Sequence, residues 1–317
     1  MKNYVDYHIS LIGTNPLPAF ITLLKNSNKD TNIYLVHTKA SRTNIGSEKV
    51  AKNLKEVVEE RIPGANISLI PCDKSDAKDI NQCINRLLKD IKKSMEKNKT
   101  YTLLLDYSSG TKAMSALFAE RIFNANIEGL ITIISYVDDN QKRILEDSKF
   151  VGKDRAPEIK NVVNNLDLSI EDITRIHGYR LEKELEEKIY KENIKYLESE
   201  NQIVFINKNG SRTCVDEVYL LNGRLLLCFE SKYLKKDEGS GVLKMELFEI
   251  KDKADKLGGS RSGIIYKYNS NKCKEETLRK DVKSAYEFEM EDRLEFISAD
   301  SSFKERIEDI YIDEGGI

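Results

Sequence analysis

Short apolar runs alternate with helical patterns through the first half of the chain. The runs are YHISLIG, NIYLVHT, NISLIPC, YTLLLDYS and GLITIISYV. Between them lie LPAFITLLKN, IGSEKVAKNLKEVVEERI, AKDINQCINRLLKDIKKSMEK and GTKAMSALFAERIFNA. The last three carry apolar residues at i, i+3, i+4 and i+7 spacing, as Val50, Leu54, Val57, Val58 and Ile62 do in the second. Strand–helix alternation of this kind predicts a parallel, Rossmann-like sheet with helices on both faces.

The polar stretch from Gly152 to Gly178, which contains Pro157, breaks the alternation. It predicts a first domain over residues 1–150, a linker over 151–177 and a second domain over 178–317. The second half reads as a long helix over about Tyr179–Leu197, then strands in QIVFINK, RTCVDEVYLL and GRLLLCFESKY. LNGR between the last two is a hairpin signal. A helix over about Val242–Leu257 and a strand in GGSRSGIIYKY follow, and the tail mixes helix and strand character.

Composition narrows the classes. With 51 basic and 53 acidic residues the net charge is −2, so any nucleic-acid surface must be local. The five cysteines form no CxxC pair, which argues against a disulfide framework or a Cys-rich zinc site and for reduced thiols. The three histidines, His8, His37 and His177, are too scattered for a metal or acid–base argument. MKNYVDYHISLIG reads as a strand, not a secretory leader. No window approaches the roughly 18 apolar residues of a membrane span, so a cytoplasmic protein with no membrane partner is expected.

One strand ends unusually. Leu225 to Phe229 are an unbroken apolar run, and Glu230 and Lys232 follow on one face. Burying charge beside a core is costly unless the charge is paired or ligates a metal. Glu-x-Lys also occurs at Glu158, Glu186 and Glu249, and the copies at Glu186 and Glu249 fall in predicted helices as solvated charges. Only the copy at Glu230 ends an apolar strand. A hairpin around Asn222-Gly223 brings Asp216 near Glu230. Two carboxylates suit Mg²⁺ or Mn²⁺, hard cations that prefer oxygen ligands. A nearby lysine can position water or offset charge at a scissile phosphate. Glu182, on the expected preceding helix, is a candidate third acid. The plain alternative is a surface salt bridge at a strand end.

The order helix Glu, strand Asp, Glu-x-Lys, helix and strand resembles the PD-(D/E)xK nuclease fold. GYRLEKELEEKIY resembles the Gly-x-x-Leu-Glu opening of the variant found in CRISPR-associated nucleases, and DKLGGSRSGIIYKY its Gly-Gly segment. The resemblance implies catalytic Glu182, Asp216, Glu230 and Lys232, with Asp216, Glu230 and Ser231 holding Mn²⁺ or Mg²⁺. Arg180 stands where many relatives have Trp, and Cys214 where many have a further acid, which points to one tight metal in place of two.

In the first domain, ligands are expected outside the carboxyl ends of the strands. Ser108, Ser109, Gly110 and Thr111 precede a helix and suit a phosphate at its N-terminus, with Lys112 adding charge. Thr14 and Asn15 come from the neighbouring loop, and Thr38 and Ser41 follow strand two. The plain alternative for SSGTK is a helix cap and turn. Neither GxxxxGK[ST] nor GxGxxG is present, which disfavours a nucleotide triphosphatase or a dinucleotide enzyme.

SLIGTNPLP and DYSSGTKAMS resemble the first motif and the Asp-x-(S/T)-Gly-(G/T)-Lys motif of the CARF domain, the CRISPR-associated sensor of cyclic oligoadenylates. Together the two halves resemble the small CRISPR ancillary nucleases activated by cyclic tetra-adenylate. That resemblance implies a homodimer, a ring bound across its two-fold axis, and metal-dependent cleavage of DNA or RNA. Lys235, Lys236, Lys267 and Tyr268 are candidate nucleic-acid contacts, with a merely solvated Lys-rich surface as the alternative. Two other classes remain open at this level: a ligand-responsive DNA-binding regulator, and a ring nuclease that only destroys the signal.

Overall fold

The computed structural model describes residues 4–40, 45–138, 143–148, 159–191, 194–230, 240–259, 262–268, 275–276, 278–280, 293–298, 307 and 310. The chain divides into two compact units, Met1–Leu168 with Arg175–His177, and Ser169–Thr174 with Gly178–Ile317. Within the stretch expected as a linker, α5 (Ile159–Asn164) and α6 (Ile170–Ile176) are helical.

The first unit is the alternating fold that the periodicity predicts. Its strands are β1 (Tyr7–Ile12), β2 (Asn32–Thr38), β3 (Asn66–Cys72), β4 (Tyr101–Asp106) and β5 (Leu130–Asp138). An added edge strand, β6 (Arg143–Ser148), pairs antiparallel to β5. The order is β3-β2-β1-β4-β5-β6, parallel up to β5. Helices α1 (Leu17–Asn26), α2 (Glu48–Arg61), α3 (Ala77–Ser94) and α4 (Lys112–Phe123) connect the strands.

Every residue of β1 is buried, because both of its faces are covered. Tyr7, Ile9 and Leu11 share a core with Ile84, Leu87 and Ile91 of α3 and with Met114, Phe118 and Ile122 of α4. The alternate residues His8 and Ser10 turn the other way, bonding to Ser27 and to Asp106. Chain order reverses between β1 and β4, so the loops that leave these two strands lie side by side, the expected ligand position in an open α/β sheet.

The second unit holds two sheets. Strands β7 (Tyr179–Leu181), β10 (Ile203–Asn207) and β11 (Arg212–Val215) form an antiparallel three-stranded sheet in the order β11-β10-β7. The other sheet runs β15-β14-β13-β12-β9-β8. It comprises β8 (Glu187–Lys191), β9 (Ile194–Leu197), β12 (Glu217–Leu221), β13 (Arg224–Glu230), β14 (Gly263–Tyr268) and β15 (Leu294–Ser298). β13 to β15 are parallel, and α7 (Ser240–Gly258) lies between β13 and β14 in sequence.

One face of β13 carries Leu226 and Cys228 into a core with Tyr219, Leu221, Ile194, Ile265 and Ile297. The other carries Leu225, Leu227 and Phe229, all buried. Leu225 lies against Gly258 of α7, and Lys253 of α7 sits 6.0 Å from the Phe229 ring centre. Asn222 and Gly223 have φ of 48° and 77°, the backbone that a two-residue type I′ hairpin turn requires.

Two expectations need correction. Of the helix expected over about 179–197, residues 179–191 and 194–197 are not helical. Their Glu- and Lys-rich sequence has high helix propensity, but pairing overrides it. Ile194 and Leu197 are buried, and Tyr196 stacks on Tyr219 with ring centres 5.7 Å apart. The charges lie across the β8–β9 ladder, where Lys195 meets Glu187 at 3.5 Å and Lys188 pairs with Glu198. Glu186, read as a helical charge, therefore lies ahead of β8. In addition, the single strand expected over RTCVDEVYLL is two, because the chain leaves one sheet and joins the other at Asp216.

Candidate functional site

Asp216 occupies the bend between β11 and β12, and Glu230 is the last residue of β13. The hairpin register sets Glu217 opposite Cys228, which brings Asp216 beside the end of β13. The Asp216 N–H donates to the Cys228 carbonyl at 3.0 Å. In return, the Glu230 N–H donates to Asp216 Oδ2 at 2.7 Å. Gln202 Nε2 holds the other Asp216 oxygen at 2.7 Å. The Glu230 side chain is 67% exposed. Two acids thus adjoin at an open strand end through the Glu230 backbone, and carboxylate oxygens are hard donors of the kind Mg²⁺ or Mn²⁺ prefers. Among the described residues no group of three or more His, Cys, Asp or Glu side chains is arranged to hold a metal.

Glu217 and Lys267 adjoin the pair. Lys267 Nζ lies 2.8 Å from Glu217 Oε1 and 3.9 Å from Glu230 Oε1. The Tyr219 hydroxyl donates to Glu217 Oε2 at 3.0 Å. Burial alone would lower the Lys267 pKa. The hydrogen bond to Glu217 and the surrounding negative groups outweigh burial and raise it above the ordinary lysine value. Burial, aided by the charge of Glu217, pushes the Cys228 thiol well above its ordinary value, so it stays protonated at neutral pH.

Other expected residues fall elsewhere. Glu182 follows a strand instead of lying on a helix, and its carboxylate is ion-paired with Arg212. No hydrogen bond or ion pair joins it to Asp216 or Glu230 among the described residues. Tyr268 is buried edge-on against Phe296, at 6.4 Å between ring centres, and is not an open stacking platform. Lys267 faces the acids and is not a free backbone contact. Ser231, Lys232, Lys235 and Lys236 lie outside the described residues.

In the first unit, the loops after β1 and β4 touch. The Ser109 hydroxyl donates to the Asn15 carbonyl at 2.9 Å. A Cβ on Gly13 would lie 2.0 Å from the Ser109 carbonyl oxygen, so only glycine permits this approach. Asp106 is the hub beneath. Its carboxylate accepts from Ser10 Oγ and Thr22 Oγ1, each at 2.9 Å, and from the hydroxyl and N–H of Ser108. Burial raises its pKa against the opposing pull of those bonds.

Several residues expected to contact ligand are thus committed to the scaffold. The Ser108 hydroxyl also accepts from the Val137 N–H at 2.9 Å. Thr111 caps α4 and donates to the Lys74 carbonyl at 2.6 Å. Thr38 is bonded to Ser47, whose hydroxyl reaches the Ile12 carbonyl at 2.6 Å. Asn15 Oδ1 accepts from the Leu17 N–H at 3.2 Å. Gly110 sits so close to Leu11 and Ser115 that a Cβ would be 2.8 Å from each. Thr14 and Lys112 present exposed side chains. Ser41 lies outside the described residues.

Gln202 and Glu217 were not singled out by the sequence reading, and Asp106 entered it only as the acid of DYSSGTKAMS, with no role assigned. Asp106 had a signal, since LLLD repeats the pattern of LCFE, an apolar strand closed by an acid. Gln202 had none, because its role depends on a contact across the fold.

No protein-family model matches the chain, and no curated protein matches it in sequence. Solved structures do. Can2 from Sulfobacillus thermosulfidooxidans, in complex with cyclic tetra-adenylate, superposes with a TM-score of 0.62 at 11% identity, over 92% of this chain and 93% of that one. Protein VC1899 from Vibrio cholerae gives 0.67 at 12% identity, over 98% and 99%. At these identities the likeness establishes a shared fold along nearly the whole chain.

Proposed function

We propose that the chain is a cyclic-oligoadenylate-activated, metal-dependent endonuclease of type III CRISPR antiviral defence, acting in the cytoplasm as a homodimer. The observation that carries the nuclease half is the bond from the Glu230 N–H to Asp216 Oδ2, which joins two acids at an exposed strand end. Asp216 and Glu230 would hold Mg²⁺ or Mn²⁺. Such a cation, when bound, stabilises charge developing on a scissile phosphate and lowers the pKa of water. Gln202 fixes one Asp216 oxygen, and the hairpin ladder fixes the spacing of the two acids. Lys232, two residues beyond Glu230, is the residue we assign to positioning the attacking water.

The sensing half rests on the CARF-like motifs and on the fold shared with a protein solved with cyclic tetra-adenylate, the ring we favour. Thr14, Lys112 and the N-terminus of α4 would receive its phosphates. A two-fold dimer would offer these groups twice to a symmetric ring. The ring activates only if it binds the active arrangement more tightly. Against the regulator reading, LEKELEEK is acid-rich and offers no basic recognition helix, and residues 179–181 and 187–191 are strands.

The test is cleavage of labelled single-stranded and duplex DNA and RNA with Mn²⁺ or Mg²⁺, with and without cyclic tetra- and hexa-adenylate. Cutting that needs both a ring and Lys232, lost on Lys232→Ala, is the expected result. Ring binding with no cutting under any condition would leave a binding module or regulator. Loss of the ring alone, unchanged in Lys232→Ala, would make the chain a ring nuclease.

A further inference from the structure

Glu217, Glu230 and Lys267 stand on one face of three neighbouring strands. Glu217 is opposite Cys228 in the antiparallel ladder, and Lys267 is the parallel neighbour of Glu230. Period-two alternation then aligns Glu217, Cys228, Glu230 and Lys267. Two carboxylates on adjacent strands repel, and the ammonium is the group that offsets them. Its distances to these two acids are unequal, with Glu217 at hydrogen-bond distance, 2.8 Å, and Glu230 at 3.9 Å. Both Glu217 oxygens are engaged, by Lys267 and Tyr219, and both Asp216 oxygens by Gln202 and the Glu230 N–H; the difference is that the donors on Asp216 are neutral while Glu217 has an ammonium at hydrogen-bond distance. Exposure runs the same way, 17% for the Lys267 side chain and 67% for that of Glu230.

We infer that Lys267 is a positioning residue of this site: it commits Glu217 to an internal ion pair, keeps it out of the cation's ligand set, and leaves Asp216 and Glu230 as the carboxylates that face the metal. The inference rests on the nuclease reading. It explains how a third acid can stand one ladder step from the pair without joining it. The looser contact to Glu230 yields to an incoming cation, while the closer one to Glu217 holds. Without Lys267, Glu217 is a further negative charge at the cation's edge. Without Glu217, Lys267 is released onto Glu230 and competes with the cation.

The experiment is Mn²⁺ binding to the full chain, followed by titration calorimetry and by the EPR signal of free Mn²⁺, with no nucleic acid present. Lys267→Met is expected to bind Mn²⁺ about tenfold tighter, and Glu217→Gln about tenfold weaker, from gaining or losing one nearby charge at a partly screened site. Lys267→Arg and the double variant Glu217→Gln/Lys267→Met should both return to within about threefold of the parent, since each keeps the charge balance. Glu217→Gln keeps the test decisive if Lys267→Met fails to fold. A spectator ion pair would leave both single variants at the parent affinity, and that result overturns the inference. Asp216→Asn/Glu230→Gln is the control. If the parent binds no Mn²⁺, the nuclease reading falls and this inference with it. If only the control loses binding, the nuclease reading stands and this inference alone fails.

Discussion

Each unit ends a central strand in an acid, and the two acids meet opposite fates. Asp106 closes β4 and Glu230 closes β13. Asp106 is fully buried, and hydroxyls from β1, α1 and its own loop surround it. Glu230 points outward, with a lysine as its near neighbour. In the first case neighbouring elements supply enough donors to turn the carboxylate inward, where it organises a loop. In the second the backbone N–H serves Asp216, and the carboxylate remains available. A strand-terminal acid closes a central strand in both units, and the donors around it decide whether it turns inward or stays exposed.

Exchanging the consequences would break that contrast. Glu230→Gln should lower cleavage at least about a hundredfold, as removal of a group stabilising transition-state charge does. The melting temperature should stay at the parent value, and a large fall would make Glu230 structural. Asp106→Ala should do the reverse. It strands the buried Ser10 hydroxyl and removes the acceptor shared by Thr22 and Ser108, at a cost of about 3 kcal/mol in urea unfolding of the first unit. Unchanged stability would remove Asp106 from its role as hub.

Two sensor-loop changes sharpen the picture at smaller scale. Gly13→Ala should abolish most ring binding measured by calorimetry, because its Cβ would meet the Ser109 carbonyl at 2.0 Å and part the loops. Lys112→Ala should weaken ring binding about tenfold, or ~1.4 kcal/mol, with no change in melting. Equal affinity would move the phosphate contact elsewhere.

A further difference between buried groups is in pH. His8 is buried with a pKa lowered to about 3, first by burial and then by the Lys25 charge. The unfolded chain binds a proton there more readily, so stability is present above the ordinary value of 6.5 and is lost as pH falls from 6.5 toward about 3. Asp106 has the opposite sign. Its raised pKa gives stability that is present below the ordinary 3.8 and is lost as pH rises through the raised value. Melting curves between pH 4 and about 8 should show a weaker acid slope in His8→Gln and a weaker alkaline slope in Asp106→Asn.

The first unit was legible because its strands are continuous apolar runs and its helices have strong period, so local preference and tertiary demand agree. Residues 179–197 misled because two local signals competed. Glu and Lys favour a helix, while Ile194, Tyr196 and Leu197 supply the face that packs. Asp216 and Glu230 could be paired from turn position alone, since a hairpin fixes register. The ion pair of Lys267 with Glu217 could not, because it joins β14 to β12 across an intervening strand.

The outermost strand, β8, has a further consequence. Among the described residues no strand pairs with its outer side, and Lys188, Ile189 and Lys191 lie along it, with Ile189 exposed. Charged side chains flanking an apolar residue, among them the Lys188–Glu198 pair, deter another chain from adding a strand there, because docking would cost them hydration. The charge-rich sequence that imitates a helix thereby serves as a guard against sheet-to-sheet aggregation.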